Sequence, residues 1–146
     1  MATDYLLDTN IIVALIRDNQ LGKFIQAKYN LRAFISQCMI SVVTVGEMEK
    51  LGREFKWETP RLTVMRNFLN QLIWIDINDQ AIFAAYAEID YYSDTVGNVM
   101  GKNDAWIAAT AKASGATLLT TDLDFDHLHP THLTRIWIDP TSKNNP

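Results

Sequence analysis

A chain of 146 residues, 48% of them hydrophobic, is long enough to bury one continuous core, and it predicts a single globular domain. Seventeen acidic residues against thirteen Lys and Arg give a formal net charge of −4, so nucleic-acid binding would need a local basic patch or a bound metal ion. The single cysteine, Cys38, excludes an internal disulfide and is expected to be a small core residue. A signal-peptide pattern and an apolar run near the ~18 residues of a membrane span are both missing, so we expect a cytoplasmic protein.

The pattern of apolar residues predicts short strands that alternate with helices. In chain order the predicted elements are a strand at 5–7, a helix at 11–16, a strand at 39–43, helices at 45–55 and 59–72, a strand at 73–77, a helix at 81–92, a polar loop at 93–101, a helix at 104–113, and strands at 117–120 and 133–138. Pro60 suits the first turn of its helix, and Gly115 suits the end of the last helix.

This alternation is typical of an α/β domain with three layers. We expect a mostly parallel central sheet of four to five strands, with helices covering both faces. The domain is predicted to cover residues 1–139, and the polar tail 140–146 is expected to fray. In such folds ligands bind in the crevice at the carboxyl ends of the strands, which indicates where functional residues belong.

Three acidic residues lie at junctions between predicted strands and helices. Asp8 ends the first strand, although it would also serve as a helix N-cap. Asp122 follows the fourth strand, although a turn rich in Asp explains it too. Glu47 opens the helix after the second strand, and with Thr44 it matches a capping box, T-x-x-E. Each residue therefore has a purely structural interpretation of its own.

Asp104 is more informative, because apolar residues follow it at helical spacing. Ile107, Ala108 and Ala111 place its carboxylate on the buried stripe of the helix. A helix N-terminus stabilises an anion by only ~0.3 to 1 kcal/mol, whereas desolvating a carboxylate costs several kcal/mol. This inward acid therefore predicts a bound cation.

Four acids delivered to one edge of one sheet are hard to attribute to helix capping. Carboxylates brought together repel and raise one another's pKa unless a divalent ion neutralises them. An all-oxygen set of ligands selects a hard ion, so the pattern predicts Mg²⁺ or Mn²⁺. Either Asp122 or Asp124 can be the fourth acid, since the sequence does not choose between them.

Two further groups of residues bear on function. His127, His129 and His132 have spacings that a zinc site also shows, but a solvated loop around Pro130 is the favoured interpretation. The four tryptophans lie in or beside predicted elements, where packing explains them better than base stacking. Candidate RNA-binding cations near the crevice are Lys50, Arg53 and Lys102, with Lys56, Arg61 and Arg66 as further members.

Four short motifs occur in order along nearly the whole chain. They are Leu7-Asp8-Thr9-Asn10, Gly46-Glu47-Met48, the run from Asn103 to Ala109, and Thr120-Thr121-Asp122. Each is weak by itself, but the ordered set on an alternating α/β pattern is specific. The chain closely resembles PIN domains, especially the VapC-type toxins of bacterial toxin–antitoxin pairs.

The resemblance implies both a site and an activity. It implies that Asp8, Glu47, Asp104 and Asp122 are the catalytic, metal-binding acids of a Mg²⁺- or Mn²⁺-dependent endoribonuclease. Supporting polar residues would be Thr9, Asn10 and Thr121, with Asp124 as a more peripheral acid. RNA hydrolysis would leave a 5′ phosphate and a 3′ hydroxyl. The implied partners are an RNA substrate, a VapB-like DNA-binding antitoxin and a second copy of the chain.

Two other functions compete with the ribonuclease. A non-catalytic PIN-like module would bind RNA or protein and would not need intact acids. A haloacid-dehalogenase-like phosphohydrolase would use Asp8 as nucleophile and needs a general acid two residues later. That position is Asn10, whose amide cannot donate a proton in this role.

Overall fold

The computed structural model describes residues 3–144 as one α/β unit with a five-stranded sheet. The strands are β1 (Tyr5–Leu7), β2 (Met39–Ser41), β3 (Ile73–Ile75), β4 (Thr117–Thr120) and β5 (Thr134–Trp137). The α-helices are α1 (Thr9–Arg17), α2 (Gln20–Tyr29), α3 (Val42–Glu54), α4 (Thr59–Asn70), α5 (Gln80–Thr95) and α6 (Lys102–Ser114). Two 3₁₀ segments, Leu31–Gln37 and Leu123–Leu128, complete the order.

The sheet is parallel throughout, as the alternation of strands and helices predicts. Its strand order is β3-β2-β1-β4-β5, so β1 lies at the centre between β2 and β4. The order in which strands are added reverses at β1, because β2 and β3 lie on one side of it and β4 and β5 on the other. A crevice forms outside the carboxyl ends of strands at such a reversal, which places the site beside β1 and β4.

Successive residues of the central strands enter different cores. Leu7 and Leu119 pack with α1, α2, α3 and α4 on one face, whereas Leu6 and Leu118 pack with α5 and α6 on the other. Both faces are therefore covered, which explains why these strands are continuously apolar. Cys38 is buried in the first core, as expected. Within residues 3–144, each helix is too short or too polar to cross a membrane.

The junction between β2 and α3 differs from the prediction. The strand predicted at 39–43 ends at Ser41, and α3 begins at Val42 because the Ser41 side chain caps it by accepting from the Val43 N–H at 3.1 Å. Paired valines favour a strand by propensity, but the serine cap overrides it here. The proposed capping box of Thr44 and Glu47 is therefore wrong. Both residues lie inside α3, and Glu47 is available for another role.

Other differences concern segments with weak amphipathic patterns. The sequence reasoning did not predict α2 or the 3₁₀ segments. Helix α5 continues to Thr95 and buries Ser93 completely, so the loop predicted at 93–101 is shorter than expected. The glycine stop is confirmed, because Gly115 ends α6 with a φ of 70°. The tail 140–146 is predicted to fray, and two of its residues, 145–146, lie outside the described part of the chain.

Helices α1 and α2 approach so closely that one glycine is required between them. A Cβ at Gly22 would lie 2.1 Å from the Ala14 carbonyl oxygen, which is backbone and has no rotamer to change. We expect Gly22→Ala to destabilise the fold by about 2–3 kcal/mol through overpacking. The matched control is Gly46→Ala in α3, where no atom lies within 4 Å of the added Cβ.

Urea unfolding of both variants tests this expectation. The control is expected to stabilise the chain by up to about 1 kcal/mol, because alanine replaces glycine in a helix. Equal stability changes in the two variants would contradict the close approach of α1 and α2.

Candidate metal centre

The predicted acids meet in one cleft at the carboxyl edge of the sheet. The cleft has a volume of about 360 Å³, and Asp8, Glu47, Asp104 and Asp122 all line it. They come from four different elements, since they follow β1, lie in α3, lie in the first turn of α6 and follow β4. Neighbouring parallel strands end at the same edge, which is why residues over a hundred positions apart come together.

Asp8 is almost completely buried and fully engaged in hydrogen bonds. Its Oδ1 accepts the Thr9 N–H at 2.8 Å, so the N-cap interpretation is correct, and capping does not exclude a role in the cleft. Its Oδ2 accepts the Thr120 hydroxyl at 2.7 Å and the Asn10 amide at 3.1 Å. Burial raises the pKa of Asp8 to about 6, although these hydrogen bonds oppose the rise.

Asp104 is half-buried and surrounded by like charge. Burial raises its pKa to about 7, and the charges of Asp8, Asp122, Glu47 and Asp124 add to that rise in decreasing order. Burial and these four charges are the main causes of the shift. A carboxylate that is surrounded by four other acids and receives no hydrogen bond is stabilised as an anion by a nearby cation.

Glu47 is oriented by two neutral side chains. The Thr9 hydroxyl donates to its Oε1 at 2.7 Å, and the Asn103 amide lies 3.5 Å from its Oε2. The resemblance named Thr9 as a supporting residue, and the Thr9 hydroxyl contacts one of the cleft acids, Glu47. Asn103 was quoted in a motif without a role, and its place beside Asp104 in sequence was the available signal.

In the Thr-Thr-Asp motif the resemblance named Thr121 as a supporting residue, but the hydroxyl that contacts the cleft acids belongs to Thr120. Thr120, fully buried, donates its hydroxyl to Asp8 and accepts the Asp122 N–H at 2.9 Å, so it links two acids. Thr121 instead uses its backbone, donating its N–H to Asn10 Oδ1 at 3.0 Å. The sequence reasoning missed Thr120 because alternation in a strand does not reveal which threonine faces the crevice at its end.

Asp122 and Asp124 both lie near Asp104. One carboxylate oxygen from each of these three residues falls within 4.8 Å of the others. Asp122 also lines the cleft with Asp8 and Glu47, whereas Asp124 lines a neighbouring pocket with His127 and is mostly exposed. The Asp122 charge is the main cause that raises the pKa of Asp124. Asp122 therefore occupies the more central position.

The chemistry of this donor set fits a hard divalent cation. All four cleft acids offer carboxylate oxygens, and the described residues of the cleft contribute no lysine or arginine to balance them. Burial is the main cause that raises the pKa of Asp8 and Asp104, and a divalent ion would offset both this cost and the repulsion from neighbouring acids that adds to it.

Asn10 is fixed by hydrogen bonds that exclude the phosphohydrolase chemistry. Its amide nitrogen donates to Asp8, and its carbonyl oxygen accepts from the Thr121 backbone. Asn10 therefore orients Asp8 and ties α1 to the end of β4. The haloacid-dehalogenase-like interpretation is wrong, because the position of its general acid holds a structural amide.

The histidines do not form a metal site within residues 3–144. His127 pairs with the Ser93 hydroxyl at 2.7 Å, and His129 accepts the Arg135 N–H at 3.1 Å. The Nδ1 of His132 lies 3.6 Å from a Glu88 carboxylate oxygen. All three histidines are partly buried, so the expected solvated loop is instead packed against α5 and β5.

The proposed RNA-binding cations differ in how they are paired. Lys102 lies 2.8 Å from Asp90, and Lys50 lies 3.5 Å from Glu54 within the same helix. Both are surface ion pairs of small energetic value, but they reduce the charge available to a phosphate. Arg53 lines a pocket with Lys56, Trp57 and Arg66.

Comparisons with known proteins identify the family of this chain. The PIN domain matches residues 5–129. Ribonuclease VapC2 of Haemophilus influenzae is 28% identical over 119 residues, covering 82% of this chain and 86% of the relative. Toxin FitB of Neisseria gonorrhoeae is 30% identical, covering 80% and 86%. The structure of VapBC2 from Rickettsia felis bound to a DNA fragment from their promoter has a TM-score of 0.76 and 26% identity, covering 94% of this chain and 100% of that one.

Proposed function

The chain belongs to the PIN domain family, and from this membership we propose that it is a metal-dependent endoribonuclease and the toxin of a toxin–antitoxin pair. Its relatives carry the names ribonuclease and toxin, which supports both parts of the proposal. The observation that carries it is the meeting of Asp8, Glu47, Asp104 and Asp122 in one cleft, where burial and the neighbouring acids raise the pKa of Asp104 to about 7. Such a cluster supports a role in binding Mg²⁺ or Mn²⁺ against an RNA phosphate.

The cleft residues would have different roles in the reaction. Asp8 and Asp104 would hold the metal ion, which when bound supplies Lewis acidity toward a phosphate oxygen and lowers the pKa of water. Glu47 and Asp122 would orient the attacking water or a second ion. Thr120 and Asn10 keep Asp8 in place through their hydrogen bonds. Hydrolysis would leave a 5′ phosphate and a 3′ hydroxyl.

The proposal includes a protein partner. A VapB-like DNA-binding antitoxin would cover the cleft and place a basic side chain among the acids, since a guanidinium pairs well with carboxylates. The Rickettsia felis complex, a VapBC2 pair bound to promoter DNA, supports a partner of this type. Homodimerisation stays a prediction from the family resemblance.

The test is cleavage of 5′-labelled total RNA and transfer RNA by antitoxin-free protein in Mg²⁺, Mn²⁺ or EDTA. We expect discrete products that require the metal and are absent in EDTA. Metal binding by folded protein without any RNA cleavage would instead favour a non-catalytic PIN-like module. Equal cleavage in EDTA would contradict the role of the metal.

The same assay separates Asp122 from Asp124. Asp122 lines the cleft with Asp8, whereas Asp124 lines the adjacent pocket and is mostly exposed. We expect Asp122→Asn to reduce the cleavage rate by about a hundredfold or more and Asp124→Asn by about tenfold or less, as for a more distant residue of a metal site. A larger loss in Asp124→Asn would reverse the assignment.

A further inference from the structure

A row of two adjacent aromatic rings with a cation at each end lies beside the acidic cleft. Arg17 stacks over Phe55 at 4.3 Å, the Phe55 and Trp57 rings lie 5.6 Å apart, and Arg61 lies 5.5 Å over Trp57. We call these four residues the cation–aromatic strip. Phe55 is 42% exposed and also lines the cleft with the acids, so one end of the strip joins the metal centre.

The backbone builds this strip through a specific helix ending. Lys56 adopts a φ of 55°, the Lys56 N–H donates to the Arg53 carbonyl, and the Trp57 N–H donates to the Gly52 carbonyl. This is the Schellman pattern, which reverses the chain after α3 and brings the rings of Phe55 and Trp57 together. Trp57 is partly buried against the core that contains Leu7 and Leu119, and this packing fixes its position.

The charge around the strip favours an anionic partner. Neither Arg17 nor Arg61 forms a salt bridge within residues 3–144. Beyond Trp57, a pocket of about 400 Å³ is lined by Arg53, Lys56 and Arg66, and its one acid, Glu49, is paired with Arg66 at 2.7 Å. The chain is acidic overall, so this local excess of cations next to an acidic cleft is the feature that a polyanion would recognise.

We propose that the cation–aromatic strip binds single-stranded RNA next to the scissile phosphate, with a base stacked on Phe55 and phosphates held by Arg17 and Arg61. Aromatic faces stack on any base, and cations beside them contact the backbone phosphates, which is the usual design of single-strand binding surfaces. The proposal rests on the ribonuclease function proposed above. It makes Phe55 a substrate-binding residue and assigns RNA contacts to residues other than the ion-paired Lys50 and Lys102.

The test measures fluorescence anisotropy of a labelled single-stranded oligoribonucleotide in EDTA, where we expect no cleavage. We expect Phe55→Leu, which keeps an apolar side chain, to weaken binding by about fivefold or more. The negative slope of log affinity against log salt is expected to become shallower by about 0.7 in each of Arg17→Gln and Arg61→Gln, the value for one single-strand phosphate contact. In Mg²⁺, Phe55→Leu should raise KM and leave kcat within about twofold.

Matched controls come from a second cation–aromatic cluster on α2. Lys28 lies 5.8 Å over Phe24, and neither residue lines the cleft. Lys28→Gln and Phe24→Leu should leave RNA affinity and its salt slope unchanged. Thermal unfolding of each variant separates lost binding from lost folding.

The outcomes distinguish this proposal from the ribonuclease proposal. RNA binding that depends on the strip, without cleavage by the wild type, would support the strip and overturn the nuclease. Cleavage by the wild type with unchanged KM, affinity and salt slope in the strip variants would overturn the strip alone. Strip variants that lose antitoxin binding but keep their RNA affinity would also overturn it. A wild type that binds no RNA would do the same.

Discussion

Asp104→Asn is expected to abolish RNA cleavage while leaving the protein folded and, without metal, at least as stable as the wild type. The carboxylate is the one that four other acids repel, so its removal relieves that repulsion. It also removes a charge that the metal needs. Loss of a residue around a metal ligand already costs 10–100-fold, so loss of a ligand should reduce kcat by about 1,000-fold or more.

Asp76→Asn is the matched control for this variant. Asp76 directly follows β3 at the same carboxyl edge of the sheet, but it is exposed, accepts the Asn78 N–H in a turn and is not part of the cleft. We expect the cleavage rate and metal affinity of Asp76→Asn to equal those of the wild type. Metal titration by calorimetry and urea unfolding accompany the cleavage assay. An active Asp104→Asn protein would refute the proposed metal centre.

The metal-free protein is expected to lose stability as the pH rises from about 4 to about 7. Burial raises the pKa of Asp8 from 3.8 to about 6, and burial with four neighbouring acids raises that of Asp104 to about 7. The folded chain therefore binds more protons at these two acids than the unfolded chain in this window, so their contribution to stability is fully present below pH 3.8 and is lost through pH 6 to 7. For Asp8 alone the loss is about 3 kcal/mol at most.

Mg²⁺ is expected to reverse this loss, because only ionised carboxylates bind it. Urea unfolding in EDTA and in Mg²⁺ at about pH 5 and about pH 8 measures the effect. Stabilisation by Mg²⁺ should be small at the lower pH and large at the higher pH. Asp104→Asn should flatten the profile in EDTA, whereas Asp76→Asn should not. Equal stabilisation by Mg²⁺ at both values would show that the titrating acids are not its ligands.

Sequence reasoning located the fold and the acids because their signals are local. The apolar runs at β1 and β4 are buried on both faces, so their composition alone predicts central parallel strands. Asp104 follows the helical period of its own helix, which identifies it as an inward acid. The family of the chain follows from the same short motifs, and the PIN domain match over residues 5–129 confirms it.

Errors arose where a local pattern had two solutions. The valines after Ser41 favour a strand by propensity, yet the serine hydroxyl caps a helix there, and this moves Glu47 from a capping position into the cleft. Helix α2 was missed because its apolar stripe is sparse and its start depends on the Asn19 side chain accepting from Gly22. Such hydrogen bonds are short-range, but several residue types compete to make them.

Only the tertiary structure decided which of several equivalent residues belong to the site. Asp8 and Asp76 both end strands, but β1 lies at the centre of the sheet, next to β4, whereas β3 is at its edge. Thr120 rather than Thr121 gives its hydroxyl to Asp8, because strand register determines which side chain faces the neighbour. The rings of Phe55 and Trp57 meet only after the chain reverses at Lys56. The sequence by itself determined the five strands, most of the helices around them and the candidate acids. Their pairing across the sheet, which depends on contacts distant in sequence, determined the site.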